Sequence, residues 1–207
     1  IPTLMPTSTP SPVPTIAMPP TPTPIPAYEV IRKIEYNNGM LLDIYRPNGA
    51  VEPSPTILVF HGGNDSRSRF SSLGTHLAEM GYTLVAIDYH DTVEYAYPMP
   101  VEDAFCALAW VHANAEMYHF DTAHLFALGH SAGGTLAAML GTVDKPAIFL
   151  ANCPYDLPAS TGLVGVITYT GIFDYAKMAR YGSATMNDYL VRYFGGTKDD
   201  VPDIWGQ

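Results

Sequence analysis

Residues 124–140 constrain this chain more than any other stretch. A short apolar run, His124–Leu128 (HLFAL), meets Gly129-His130-Ser131-Ala132-Gly133-Gly134, and Ser131–Leu140 reads as a small-residue helix stopping at Gly141. A G-x-S-x-G pattern between a strand and a helix is the signature of a nucleophile elbow, a sharp turn that projects a serine hydroxyl from the top of a sheet. The spacing predicts a strained backbone at Ser131. It also predicts glycine at 129 and 133, where a Cβ would collide with the neighbouring strand and helix. Ser131 is therefore the candidate nucleophile.

A second motif sits one strand-helix-strand-helix unit earlier. Thr56–Phe60 (TILVF) is wholly apolar, as expected of a strand buried on both faces, and His61-Gly62-Gly63-Asn64 follows it directly. Glycines in that loop let the main chain approach a substrate carbonyl closely. Backbone N–H groups there, with that of the residue after the serine, can stabilise negative charge on a tetrahedral intermediate. Gly62, Gly63 and Ala132 are the candidate oxyanion donors.

The remaining pattern alternates. Tyr28–Tyr36 and Met40–Arg46 read as a hairpin around Asn37-Asn38-Gly39. Arg69–Met80 reads as a helix closed by Gly81, and Thr83–Asp88 as a strand. A helix over Val101–Met117, a strand over Val164–Thr170 and a helix over Thr185–Phe194 complete the cycle, with Lys145–Ala159 left as a loop-rich excursion. Strands alternating with helices after an antiparallel hairpin indicate an α/β class, with a mainly parallel sheet covered on both faces.

Residues 1–27 are compositionally separate. They hold ten of the nineteen prolines, mixed with Thr and Ser, and no charged residue. Prolines that dense exclude helix and ladder pairing, so an extended linker is expected there, of the kind found in secreted or surface proteins, and a globular domain from residue 28 to 207. The net charge of −10 argues against nucleic acid or anionic lipid as partners. No run of eighteen apolar residues offers a membrane span. Cys106 and Cys153 lie too far apart for spacing to pair them: two buried free thiols are the expectation, a single bridge the alternative. Neither cysteine has metal-ligand spacing, so no metal site is expected.

The text FHGGN (60–64), AIDY (86–89), YPMPVEDAFCALAWVHANAEMYHFD (97–121), LFALGHSAGG (125–134) and TGIFDY (170–175) resembles the α/β-hydrolase superfamily. Within it, the chain is similar to the esterase/lipase group, feruloyl-esterase-like and hormone-sensitive-lipase-like. The resemblance implies hydrolysis of carboxylic esters through an acyl-enzyme on Ser131, without a cofactor; a small-molecule ester is the expected partner, and the Pro/Thr-rich residues 1–27 point toward acylated carbohydrates among such esters. Two positions depart from the pattern: Asn64 stands where a third glycine is usual, and His90 where arginine is.

A further departure concerns the rest of the triad. The family order is serine, acid, histidine, yet all seven histidines (61, 76, 90, 112, 119, 124, 130) precede Ser131. The chain is therefore expected to be a C-terminally incomplete domain, inactive alone, with an uncovered hydrophobic sheet edge. Asp174 is an alternative acid and Asp156 a turn residue. His61 would shape the oxyanion loop; His76, His112 and His119 would be solvated or cap helix ends. The competing readings are a non-catalytic hydrolase-like binding module, and a formamidase or peptidase on the same fold.

Overall fold

A computed structural model describes residues 27–205; the expected linker over residues 1–27 falls almost wholly outside them. Six strands, β1 (Tyr28–Asn37), β2 (Met40–Pro47), β3 (Ser54–Phe60), β4 (Thr83–Ile87), β5 (Phe120–His130) and β6 (Leu163–Tyr169), form one sheet in the order β1-β2-β4-β3-β5-β6. The helices are α1 (Ser71–Glu79), α2 (Met99–Ala113), α3 (Ala115–Tyr118), α4 (Ala132–Thr142), α5 (Tyr175–Tyr181), α6 (Ala184–Phe194) and α7 (Pro202–Trp205). β1 and β2 enter antiparallel, and β4, β3, β5 and β6 run parallel to one another.

Local chemistry explains the entry hairpin. Asn38 and Gly39 both take positive φ (40° and 83°), the backbone of a turn whose twist matches that of the strands it joins. In β3 and β4, successive side chains go to opposite cores. Leu58, Phe60, Val85 and Ile87 pack beneath α2 and α4, while Val59, Leu84 and Ala86 pack toward α1. A strand buried on both faces has no polar positions to alternate with, which is why TILVF and TLVAI are unbroken apolar runs. Helix α2 is buried nearly all round, from Val101 to Val111.

The sheet departs from the pattern at β5, which begins at Phe120 rather than His124. Its first residues already pair: Phe120 and Asp121 lie opposite Ser54 and Pro55, and the Ser54 N–H donates to the His119 carbonyl at 3.0 Å. The expected helix over Val101–Met117 breaks at Asn114, and α4 runs through Gly141 to Thr142. Among the described residues β6 lies at one edge of the sheet, with Val164, Ile167 and Tyr169 exposed.

One expectation is overturned. Cys106 and Cys153 are not free thiols but form a disulfide, with Cα atoms 5.5 Å apart. Cys106 sits on the buried surface of α2, and the 145–159 excursion folds back over it through a 3-10 turn at Pro146–Phe149. There Phe149 stacks on Phe105, ring centroids 5.3 Å apart. Sequence spacing cannot encode that return. Crosslinking across a separation of 47 residues restricts the unfolded chain by roughly 4 kcal/mol. Cys153→Ser is accordingly expected to lower unfolding free energy by about that amount in urea melts, and an unchanged midpoint would contradict it.

Candidate active site

The turn between β5 and α4 brings the predicted residues together. Ser131 has φ 53° and ψ −120°, a conformation that costs an ordinary residue about 1–3 kcal/mol. Packing imposes it. The Ser131 N–H donates to the Tyr169 carbonyl at 2.8 Å, extending the β5–β6 ladder into the turn, and the Ser131 carbonyl accepts from the Thr135 N–H at 3.2 Å. The chain then has no room for side chains on either side. A Cβ at Gly129 would lie 2.0 Å from the Gly133 carbonyl oxygen, and one at Gly133 would lie 2.2 Å from that of Phe60.

Ala132 opens α4, so its N–H belongs to the first turn, whose donors have no intrahelical acceptor and carry the positive end of the helix dipole. Gly62 lies against this turn: a Cβ there would be 3.4 Å from the Ser131 Cβ and 3.0 Å from His130 Nδ1. Gly63 faces the next loop instead, where a Cβ would meet Val93 at 2.7 Å. Gly62, Ser131 and Ala132 are thus neighbours, with Gly63 one residue further out along the same loop.

The loop after β3 is shaped by His61, as its place in the motif implies, together with partners from more distant elements. The His61 ring is buried, stacks on Tyr89 at 4.4 Å between centroids, and donates from Nδ1 to the Gly62 carbonyl at 2.7 Å. The Tyr89 hydroxyl donates to the His61 carbonyl at 2.6 Å. Asn64, at φ 57°, donates its N–H to Asp91 at 2.6 Å. Beyond it Arg67 pairs with the Asp88 carboxylate and with Asp43 at 2.9 Å. Burial alone would raise the Asp43 carboxyl. The Lys33 N–H and the Arg67 and Arg32 guanidinium groups outweigh that, and the net shift is downward. A buried aspartate with charged partners at the far end of a loop is a long-range arrangement, and no local pattern announces it.

The histidines are engaged elsewhere. His90, in the place where the resemblance implies arginine, donates from Nδ1 to Asp103 at 2.7 Å. His112 donates to the Thr161 carbonyl at 2.9 Å rather than being solvated or capping its own helix, and His124 donates to Asp121 at 2.6 Å. His130 stacks on Tyr169, and its buried Nδ1 has no partner among the described residues. No hydrogen bond to the Ser131 hydroxyl occurs among the described residues. Asp174, the alternative acid, instead caps α5, accepting from the Lys177 N–H at 2.7 Å. Asp156 is exposed in the excursion. Among the described residues, no group of three or more His, Cys, Asp or Glu side chains could hold a metal ion.

Comparison with known proteins bears on this arrangement. The model of the BD-FAE family matches residues 42–205. Among curated proteins, the chain is 26% identical over 168 residues to Esterase LipC of Mycobacterium tuberculosis, covering 78% of this chain and 41% of that protein. It is 29% identical over 150 residues to the probable carboxylic ester hydrolase LipM of the same organism, covering 70% and 34%. The chain therefore spans less than half the length of these relatives. Among solved structures, a truncated carbohydrate esterase from gut microbiota superposes with a TM-score of 0.72 at 22% identity, covering 86% of this chain and 70% of that one. Brefeldin A esterase, a bacterial homologue of human hormone sensitive lipase, gives 0.62 at 20% identity, covering 93% and 58%. At such identities the structural likeness establishes the α/β-hydrolase fold.

Proposed function

Because the chain belongs to the BD-FAE family, we propose that it is the nucleophile-bearing part of a serine carboxylic ester hydrolase. The observation that carries this reading is the backbone of Ser131, held at φ 53° between two glycines that admit no Cβ. A turn that stores such strain around a serine is costly, and the cost is understandable where the hydroxyl must be presented to a substrate.

In the proposed mechanism Ser131 Oγ attacks the ester carbonyl carbon while a general base takes its proton. The N–H groups of Gly62, Gly63 and Ala132 receive the developing oxyanion. Collapse of the tetrahedral intermediate expels the alcohol and leaves an acyl-enzyme, which water then hydrolyses. No histidine among residues 27–205 is bonded to Ser131, so we propose that the base and its acid partner reach the site from outside those residues. The substrate we propose is a small-molecule ester, a class that includes acylated carbohydrates. The disulfide and the Pro/Thr-rich residues 1–27 support placement in a secreted or cell-surface protein, since disulfides persist in oxidising compartments.

The Ser131 hydroxyl, without a hydrogen-bond partner among the described residues, favours a second reading, a hydrolase-like module that binds without turnover. Initial rates of the full-length protein on an aryl acetate and on the matching aryl anilide separate the alternatives. The proposal expects ester turnover well above anilide turnover. Anilide turnover at equal or greater rate assigns amidase chemistry, and no turnover of either favours the binding module.

A further inference from the structure

The loop that follows β4 joins α2 to the loop after β3. Asp91 folds it into a tight turn. The Asp91 carbonyl accepts the Glu94 and Tyr95 N–H groups at 2.9 and 2.8 Å, and its carboxylate accepts the Val93 N–H at 2.8 Å. One side of this turn is tied to α2, where the Asp103 carboxylate accepts the His90 N–H and the His90 ring Nδ1–H, each at 2.7 Å. The other side meets the loop after β3. There the Asp91 carboxylate also accepts the Asn64 N–H at 2.6 Å, and a Cβ on Gly63 would lie 2.7 Å from Val93. Gly63 and Asn64 thus rest on a turn that Asp103 holds to the helix layer.

Stability does not account for Asp103. It is 2% exposed, and burial pushes its carboxyl above the usual aspartate range although the His90 donors and the Asn37 side chain oppose the shift. A carboxyl raised on folding favours the folded chain at acid pH and weighs against it once ionised, so at neutral pH this group costs stability. A well-packed apolar side chain would carry no such penalty. What the carboxylate supplies is a pair of charge-assisted bonds to one turn, of a kind about twice as strong as neutral ones. We propose that Asp103 is a positioning residue for the candidate oxyanion loop, acting through His90 and the Asp91 turn on the backbone of Gly63 and Asn64. A donor N–H in such a site must be held to within about 0.5 Å, and a loop backed by one fixed turn meets that demand. That the Gly63 N–H serves an oxyanion rests on the ester-hydrolase reading; that Asp103 holds the loop does not.

Two readouts on the full-length protein test this: amide deuterium exchange over residues 62–66, and kcat and KM on an aryl acetate. They are compared in the wild type, Asp103→Ala, Asp103→Asn and His90→Ala. Asp103→Ala removes the acceptor, and exchange over 62–66 should become at least about tenfold faster. Outright loss of an oxyanion donor costs about 10²- to 10³-fold in kcat, so a loosened donor should cost on the order of 10- to 100-fold. KM should stay within about twofold, because the oxyanion forms only in the transition state. Asp103→Asn keeps an oxygen facing both His90 donors and should bring kcat and exchange back to within about threefold of wild type. His90→Ala removes one of the two bonds from outside α2, with smaller changes in the same direction, and it decides the question if circular dichroism shows Asp103→Ala misfolded. A purely structural Asp103 would shift the melting temperature and leave kcat and exchange over 62–66 unchanged, and that result would overturn the proposal. So would a loss confined to KM. If the wild type turns over no ester while the substitutions still speed exchange over 62–66, the catalytic reading fails and the positioning role stands.

Discussion

Ser131→Ala is expected to lower ester turnover of the full-length protein on the order of 10⁴- to 10⁶-fold, with no loss of stability. The expected size follows from removing the nucleophile of a covalent mechanism while the oxyanion donors stay in place. Stability should hold because alanine inherits the same backbone conformation, and no hydrogen bond to the serine hydroxyl among the described residues is lost. Ser131→Gly separates the two effects. It removes the nucleophile and also relieves the positive φ, so it should unfold at a higher temperature than Ser131→Ala, by about 2–4 °C for each kcal/mol of strain released. If Ser131→Gly proves less stable than Ser131→Ala, the turn is not strained as described. If Ser131→Ala keeps wild-type turnover, another residue is the nucleophile.

Gly133→Ala carries the largest expected effect on folding. The added methyl would lie 2.2 Å from the Phe60 carbonyl oxygen and 2.3 Å from that of His61. Both are backbone atoms at the end of a central strand, so nothing flexible can give way. The cost should exceed about 4 kcal/mol, a large part of the total stability of an ordinary domain. Gly134→Ala is the contrast within the same motif. Its methyl would meet the Gly129 carbonyl oxygen at 3.1 Å, a misfit of a few tenths of an ångström. Alanine's better helix propensity offsets it by up to about 1 kcal/mol. Urea melts of the two variants should therefore diverge widely, and similar midpoints would show that α4 does not pack against β3 as closely as described.

What the sequence discloses about this protein depends on how local the cause is. TILVF and TLVAI announce central strands because burial on both faces leaves no polar position. The glycines around Ser131 announce close approach because a Cβ has nowhere to go. The Asn38-Gly39 turn is readable for the same local reason. By contrast, Cys106 and Cys153 meet only because the 145–159 excursion returns over α2, and spacing alone pointed the wrong way. The pairing of Arg67 with Asp43 and Asp88 joins three elements, and each residue read singly is an ordinary surface charge. α5 lies between the strand expected over Val164–Thr170 and the helix expected over Thr185–Phe194, where the pattern announces no element. Its start is set by Asp174 capping the Lys177 N–H, the role that displaces Asp174 as a candidate acid. His90 shows the same limit, since its meaning depends on Asp103 on the neighbouring helix.

The most direct test of the central claim is covalent labelling with a fluorophosphonate probe, followed by peptide mapping. It compares residues 1–207 alone, the full-length protein and full-length Ser131→Ala. The account predicts labelling of the full-length protein at Ser131, none in Ser131→Ala, and little or none in residues 1–207 alone, since no histidine among the described residues is bonded to the serine. A folded full-length protein that stays unlabelled, or one labelled at another residue, would contradict it.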